Sequence, residues 1–197
     1  MIKKVCVFCG GLNGNDETYI KGAEQFGRLL VDNEIGLVYG GGSVGLMGAL
    51  ADSVLKAGGV AVGVIPETLV NREIGHNGLS ELIVVDTMHE RKAKMAELAD
   101  AFVALPGGYG TLEELFEIIT LTIIEAQSKP CGIYNIRGYY NHLLHFLDGV
   151  AEQGFITRED RDFLVVEEDP ALLLAGMARM EPYKSTRWQV MAKTRKH

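Results

Sequence analysis

The chain has 197 residues, 47% of them hydrophobic and 23% charged, with a net charge of −7. That length and balance fit one soluble globular domain with a full core, and the acidic surplus argues against nucleic acid as a main partner, because phosphate contacts need clustered Lys and Arg. No apolar run is long enough to span a bilayer and the Lys3-Lys4 start does not open a signal peptide, so no membrane partner and a cytoplasmic location are expected.

The apolar run Val5-Cys6-Val7-Phe8-Cys9 reads as part of a first strand, set at residues 4–8. Its alternation sends Cys6 and Cys9 to opposite faces, so these two thiols, like Cys131, are read as reduced and buried rather than as a redox or zinc pair. Tyr19, Ala23, Phe26 and Leu30 then follow helical spacing, and a second strand spans residues 37–39. Further strand-like runs cover residues 60–65, 82–85, 101–105, 131–134 and 163–166, with another helical stripe at Tyr140, Leu143, Leu144 and Leu147. Continuously apolar central strands mean burial on both faces. Strand and helix alternating in this way predict a Rossmann-like, doubly wound, mostly parallel sheet with helices on both faces, in a single domain, with its ligand crevice at the carboxyl ends of the strands.

Three stretches carry chemistry. After residues 37–39 comes Gly40-Gly41-Gly42-Ser43-Val44-Gly45-Leu46-Met47-Gly48, opening a helix over residues 49–55. It contains G-x-G-x-x-G, with Glu67 just past the next strand, which suggests a dinucleotide; Gly41, Gly42 and Ser43 are the candidates for a second phosphate or ribose loop. It also contains G-x-S-x-G, read here as a by-product of glycine richness rather than a nucleophile elbow.

In Asp86-Thr87-Met88-His89-Glu90-Arg91-Lys92, Thr87 and Glu90 form a capping box. Arg91 and Lys92 then fall near a helix N-terminus, where the dipole disfavours cations, and Arg91 shares a face with Met88, Met95 and Leu98. Snorkelling to the surface and service to an anionic ligand are both open readings.

The third stretch is Leu105-Pro106-Gly107-Gly108-Tyr109-Gly110-Thr111-Leu112-Glu113-Glu114, between a buried strand and an apolar helix. Glycines let the backbone approach a ligand, and the helix N-terminus presents N–H groups and a positive dipole to an anion such as phosphate. The bland reading is a turn followed by a capping box, with Thr111 as N-cap and Glu114 reaching back.

Met88 to Lys92, together with the run from Ala99 through Pro106-Gly107-Gly108-Tyr109-Gly110-Thr111 to Glu114, resembles the lonely-guy family of cytokinin riboside 5′-monophosphate phosphoribohydrolases. The likeness extends over nearly the whole chain, through Val7-Phe8-Cys9-Gly10, residues 39–48, Gly63-Val64-Ile65-Pro66 and Lys129-Pro130. It implies hydrolysis of the N-glycosidic bond of an adenine-type nucleoside 5′-monophosphate, a cytokinin riboside monophosphate or AMP, to free base and ribose 5-phosphate. It implies Arg91 and Glu114 as the catalytic pair, and Glu73, Lys92, Gly108, Tyr109, Gly110, Thr111, Leu112, Glu113 and Thr120 as the substrate site. Family members are dimers or larger assemblies, and they have often been mislabelled lysine decarboxylases, although no pattern here calls for pyridoxal phosphate. The chain departs from the family at Gly11-Leu12, where two serines are usual, and at Leu121 and Ile123, which replace a common Trp and Gln.

The chemistry of the residues agrees with that assignment. Breaking the bond develops positive charge on C1′ and O4′, which a carboxylate such as Glu114 stabilises, while Arg91 holds its proton and acts electrostatically. Neither a cofactor nor a metal is required, and no His/Cys/Asp cluster has ligand spacing. A non-catalytic nucleotide- or cofactor-binding carrier would need the glycine cradle but neither Arg91 nor Glu114. An NAD(P)-dependent enzyme would use the loop at residues 40–45 instead.

Residues 1–182 are expected to form the Rossmann-like nucleotide-hydrolase domain. Residues 183–197, with Lys184, Arg187, Lys193, Arg195 and Lys196 and no acid, are expected to form a basic tail. The helix after the signature carries Leu112, Leu115, Phe116, Ile118, Ile119, Leu121, Ile123 and Ile124. A helix so nearly apolar all round predicts a second cover, a homodimer partner or the C-terminal segment around Trp188.

Overall fold

The computed structural model describes residues 1–70 and 75–188. Chain order is β1 (Lys4–Phe8), α1 (Glu17–Asp32), β2 (Gly36–Tyr39), α2 (Gly45–Lys56), β3 (Ala61–Pro66), α3 (Glu67–Val70), β4 (Glu81–Val85), α4 (Met88–Leu98), β5 (Ala101–Ala104), α5 (Tyr109–Ile123), β6 (Cys131–Tyr134), α6 (Asn141–Glu152), α7 (Arg158–Asp162), β7 (Val165–Glu167) and α8 (Pro170–Ala178). Among the described residues the strands form one sheet in the order β4-β3-β2-β1-β5-β6-β7, and every neighbouring pair is parallel. An isolated antiparallel bridge joins Gly42 to Gly75.

Alternation along the strands builds two cores. Val5, Val7, Leu37, Tyr39, Val103 and Leu105 meet α1, α2 and α8 on one face, through Phe26, Leu30, Leu50, Val54, Leu173 and Met177. Cys6, Phe8, Val38, Phe102, Ala104 and Ile133 meet α4 and α5 on the other, through Met95, Leu115, Ile118 and Ile119. Cys6 and Cys9 therefore belong to different cores, and all three thiols are free and buried. Among the described residues no helix is long and apolar enough to cross a membrane.

Most strand ends fall within one residue of expectation, and two boundaries differ by more. α2 begins at Gly45, four residues early, because Val44 takes the extended N-cap conformation directly after the glycines. The last strand begins at Val165 rather than residue 163, because a capping box between Thr157 and Asp160 starts α7 and carries the chain to Phe163 as its C-cap.

α5 turns Leu115, Ile118, Ile119 and Ile123 into the core, leaves Leu112, Phe116 and Leu121 half-buried, and exposes Thr120 and Ile124. The C-terminal segment joins this side of the sheet through Met180 and Tyr183, the latter stacked on Phe163, whereas Trp188 stands 49% exposed. The Tyr183 and Ser185 hydroxyls donate to the buried Asp160 carboxylate at 2.6 and 2.7 Å, docking the first residues of the basic segment. Residues 189–197 lie outside the described residues.

Candidate active site at the strand ends

Between β1 and β5 the sheet changes direction, since from β1 the chain winds to β2, β3 and β4 and from β5 it winds the other way to β6 and β7. Loops leaving such a switch point part and open a crevice. Here residues 9–14 after β1 and 105–110 after β5 enclose a cavity of about 690 Å³.

On the β5 side, Gly108 is the N-cap of α5, with φ −93° and no side-chain cap. Thr111 is thus in the first turn rather than at the cap, and the expected capping box with Glu114 does not form. Thr111 is instead 4% exposed and its side chain lies against Gly107, where a Cβ would collide with it. The Leu112 N–H donates to the Gly108 carbonyl at 3.1 Å, so the amides of Tyr109, Gly110 and Thr111 stand at the open end of the helix. The three preceding carbonyls are all engaged elsewhere. Leu105 O accepts from the Tyr140 hydroxyl at 2.6 Å, Pro106 O from Gly10 N–H at 3.0 Å, and Gly107 O from the Tyr139 hydroxyl at 2.6 Å. An anion there meets a helix N-terminus with those carbonyls already bonded.

The cation comes from α4. Thr87 caps that helix, its hydroxyl accepting from Glu90 N–H at 3.1 Å, while the Glu90 carboxylate returns to Asp86 N–H at 3.0 Å, one residue before the partner a capping box would use. This fixes the first turn and turns Arg91 inward, 5% exposed, with Met95 at 1% on the same face and Met88, against expectation, at 42%. Arg91 Nη2 donates to the Gly40 carbonyl at 3.0 Å and Nη1 approaches Met88 Sδ at 3.8 Å. A Cβ on Gly40 would strike the guanidinium, so the first glycine of the other loop is the seat of Arg91.

Arg91, Glu114 and Cys9 all line the cavity, and both charges act on the Cys9 thiol. Burial pushes that thiol up, Glu114 raises it further and Arg91 opposes both, so Cys9 remains a neutral, nearly apolar wall.

Of the residues expected in the site, Arg91, Gly108, Gly110, Thr111, Glu113 and Glu114 come together around the cavity. Lys92 does not reach the lining. Its ammonium pairs with Glu113 and, at 3.1 Å, with Glu117, tying α4 to α5. Burial alone would push its pKa down, and those two carboxylates outweigh burial and raise it. Tyr109 is 94% exposed, Leu112 packs against the core, and Thr120, exposed, donates to Phe116 O at 2.7 Å. Glu73 lies outside the described residues.

Gly41, Gly42 and Ser43, the candidates for a second phosphate or ribose loop, do not line this cavity. From the stretch 40–48 the cavity is lined by Gly40, Val44, Leu46 and Met47. Gly41 O accepts from His76 N–H at 3.0 Å and Gly42 bridges to Gly75, so both are engaged with the segment after α3. The amides of Leu46 and Met47 at the start of α2 donate to the Gly10 carbonyl at 3.0 and 3.3 Å, so these two N-terminal amides are satisfied by the chain itself.

Sequence reasoning missed Gly10, Tyr19 and Tyr139 on the cavity wall. The position of residues 9–14 after the first strand at a switch point was a usable signal; for Tyr139, brought in from beyond β6, there was none. Among the described residues no group of three His, Cys, Asp or Glu could hold a metal ion.

Residues 47–177 match the profile of a family described as "Possible lysine decarboxylase". A cytokinin riboside 5′-monophosphate phosphoribohydrolase of Arabidopsis thaliana is 45% identical over 193 residues, 98% of this chain and 83% of the relative. Another from the same plant is 50% identical over 163 residues, 83% of this chain and 76% of its own. A probable enzyme of the same description from Oryza sativa subsp. japonica is 46% identical over 180 residues, 91% of this chain and 74% of its own. Among solved structures, the molybdenum cofactor carrier protein of Chlamydomonas reinhardtii has a TM-score of 0.68 at 18% identity, over 91% of this chain and 98% of that one. The molybdenum cofactor binding protein of Rippkaea orientalis has a TM-score of 0.65 at 20% identity, over 87% and 92%. At such identities the shared property is the fold.

Proposed function

The chain belongs to the lonely-guy family of phosphoribohydrolases, and from that premise we propose that it hydrolyses the N-glycosidic bond of adenine-type nucleoside 5′-monophosphates, AMP among them, to free base and ribose 5-phosphate. The observation that carries this reading is that Arg91 and Glu114 open on one cavity beside a helix N-terminus without a side-chain cap.

In this reading the 5′-phosphate rests on the amides of residues 108–111, and Glu114, one turn along α5, reaches the ribose. Water bonds to C1′ as the C1′–N bond breaks, the bonding pair leaves with the base, and the proton lost by the water balances the one the base takes up. Glu114 orients the water and stabilises charge growing on C1′ and O4′. Arg91, which keeps its proton, faces the negative charge of the ligand or the departing base. Lys92 acts through Glu113 and Glu117 by holding α4 against α5. No lysine lines the cavity among the described residues, so a pyridoxal Schiff base has no partner there.

The active form in this proposal is a homodimer or larger assembly. Thr120 lies six residues beyond Glu114, ~9 Å further along the helix at 1.5 Å per residue, and is exposed where a second copy would cover it. The exposed Ile124 supports a cover over that end of α5. Light scattering at micromolar concentration tests this, and a clean monomer mass near 21.5 kDa rejects it.

The activity is tested with a panel of nucleoside monophosphates, measuring released base by chromatography. Hydrolysis of AMP with little or none of adenosine is the expected result. Tight AMP binding without base release would make the protein a carrier instead.

A further inference from the structure

Beyond β6 the chain makes a sharp turn that nothing in the proposed chemistry uses. Arg137 and Gly138 both take left-handed conformations, φ 56° and 67°, and the turn is closed by Gly138 N–H to Asn135 O at 2.9 Å and by Tyr140 N–H to Asn135 Oδ1 at 2.8 Å. An ion pair from Arg137 to Asp16 ties it to the start of α1. The turn presents two consecutive tyrosines to the same loop. Tyr140 is buried and its hydroxyl holds Leu105 O, at the foot of the loop. Tyr139 lines the cavity, stands edge-on to Tyr19 and to Tyr140 with ring centroids 5.7 and 4.9 Å apart, and its hydroxyl holds Gly107 O at 2.6 Å.

Gly107 and Gly108 are joined by the least restrained kind of peptide in the chain, with no Cβ on either side to limit its rotation. In a trans peptide the carbonyl of one residue and the N–H of the next share a plane and point in opposite directions. Pinning Gly107 O therefore also fixes where the Gly108 N–H points, and this is the first amide of the anion cradle.

We propose that Tyr139 is a positioning residue for phosphate recognition: its hydroxyl, by holding the Gly107 carbonyl, preorganises the Gly107–Gly108 peptide so that the N-terminus of α5 receives the 5′-phosphate. The inference rests on the cradle reading of residues 108–111. Preorganisation makes its contribution at the phosphate and leaves chemistry at C1′ alone, so the loss should appear only with phosphorylated ligands. Phenylalanine keeps the ring contacts to Tyr19 and Tyr140, and at 42% exposure the position tolerates the missing hydroxyl.

The experiment compares wild type, Tyr139→Phe and Tyr140→Phe in three measurements: kcat/KM for AMP and for adenosine, affinity for inorganic phosphate by calorimetry, and thermal unfolding. Tyr139→Phe should lower kcat/KM for AMP and phosphate affinity by about tenfold each, leave the trace rate on adenosine unchanged, and shift Tm little. Tyr140→Phe should lower Tm and keep the wild-type ratio of AMP to adenosine. A Tyr139→Phe protein with the wild-type ratio and phosphate affinity overturns the inference, as does a Tyr140→Phe protein that loses the ratio equally. If the wild type itself does not prefer AMP to adenosine, the cradle reading fails first and the role of Tyr139 falls with it.

Discussion

Two glycine-rich turns lead from a strand into a helix, and they differ in what occupies the helix end. At the start of α2 the Gly10 carbonyl receives the amides of Leu46 and Met47, and Gly45, at φ +65°, lies so close to Gly11 that a Cβ would run into its backbone. At the start of α5 the preceding carbonyls are engaged elsewhere, and Cβ atoms on Gly108 and Gly110 would meet nothing within 4 Å. In the first turn the glycine is needed by the folded chain itself. In the second, Gly107 makes room for Thr111 but the folded chain does not need Gly108 or Gly110, which is what a backbone kept clear for a ligand looks like. Glycine spacing alone does not separate a helix end closed by its own protein from one left open.

The difference can be broken at its closed side first. Gly45→Ala should cost about 3 kcal/mol or more, from the left-handed backbone and the collision with Gly11 together. Urea unfolding measures it, and an unchanged midpoint would mean that the α2 end is not closed as described. At the open side, Glu114→Gln should cut AMP turnover about a hundredfold, roughly 2.7 kcal/mol of barrier, with nucleotide binding retained. Full activity in that variant would remove Glu114 from the reaction.

A third variant lies away from both turns and calibrates them. Burial alone would push the Asp160 carboxyl up, but the bonds from Tyr183, Ser185 and Thr157 outweigh burial and hold it below the usual carboxylate range. A carboxyl depressed in the folded state adds stability above its unfolded value, and that contribution is lost as pH falls through the folded one. Asp160→Asn should thus cost about 2 kcal/mol at pH 7 and nothing relative to wild type once pH is below both values. The ratio of AMP to adenosine hydrolysis should not move, and a pH-independent deficit in unfolding free energy would contradict the assigned charge. The smallest effect sharpens the contrast most. Gly108→Ala should leave the melting temperature within the range of an ordinary surface change, about 0.5 kcal/mol, and raise KM for AMP about tenfold as a methyl enters the phosphate seat. Normal kinetics in Gly108→Ala would show that the seat is elsewhere.

Much of the frame was legible in the chain, since apolar runs bounded by glycine set the strands and β1 and β6 fall where the runs do. Arg91 was legible too, because a cation on the apolar stripe of a helix demands an explanation. What escaped was decided by tertiary contacts. The G-x-G-x-x-G pattern cannot reveal that Gly40 seats Arg91 or that Gly10 fills the end of α2. Thr111 looks like a cap until Gly107, lacking a Cβ, lets the helix start three residues sooner. The pairing of Lys92 with Glu113 and Glu117 is likewise invisible in the chain, because α5 brings those carboxylates within its reach only in the fold.

The seat of Arg91 has a further consequence. Arg91 is tied to the first carbonyl after β2, and Glu114 rides on the helix that follows β5, with β1 paired between those two strands. The spacing of the two charges is thus a property of three adjacent central strands, the part of a sheet that opens last. On heating, inactivation should track the collapse of the whole sheet rather than precede it. Substitutions deep in those strands, such as one at Val38, would then surface as lost turnover in residues that no substrate ever meets.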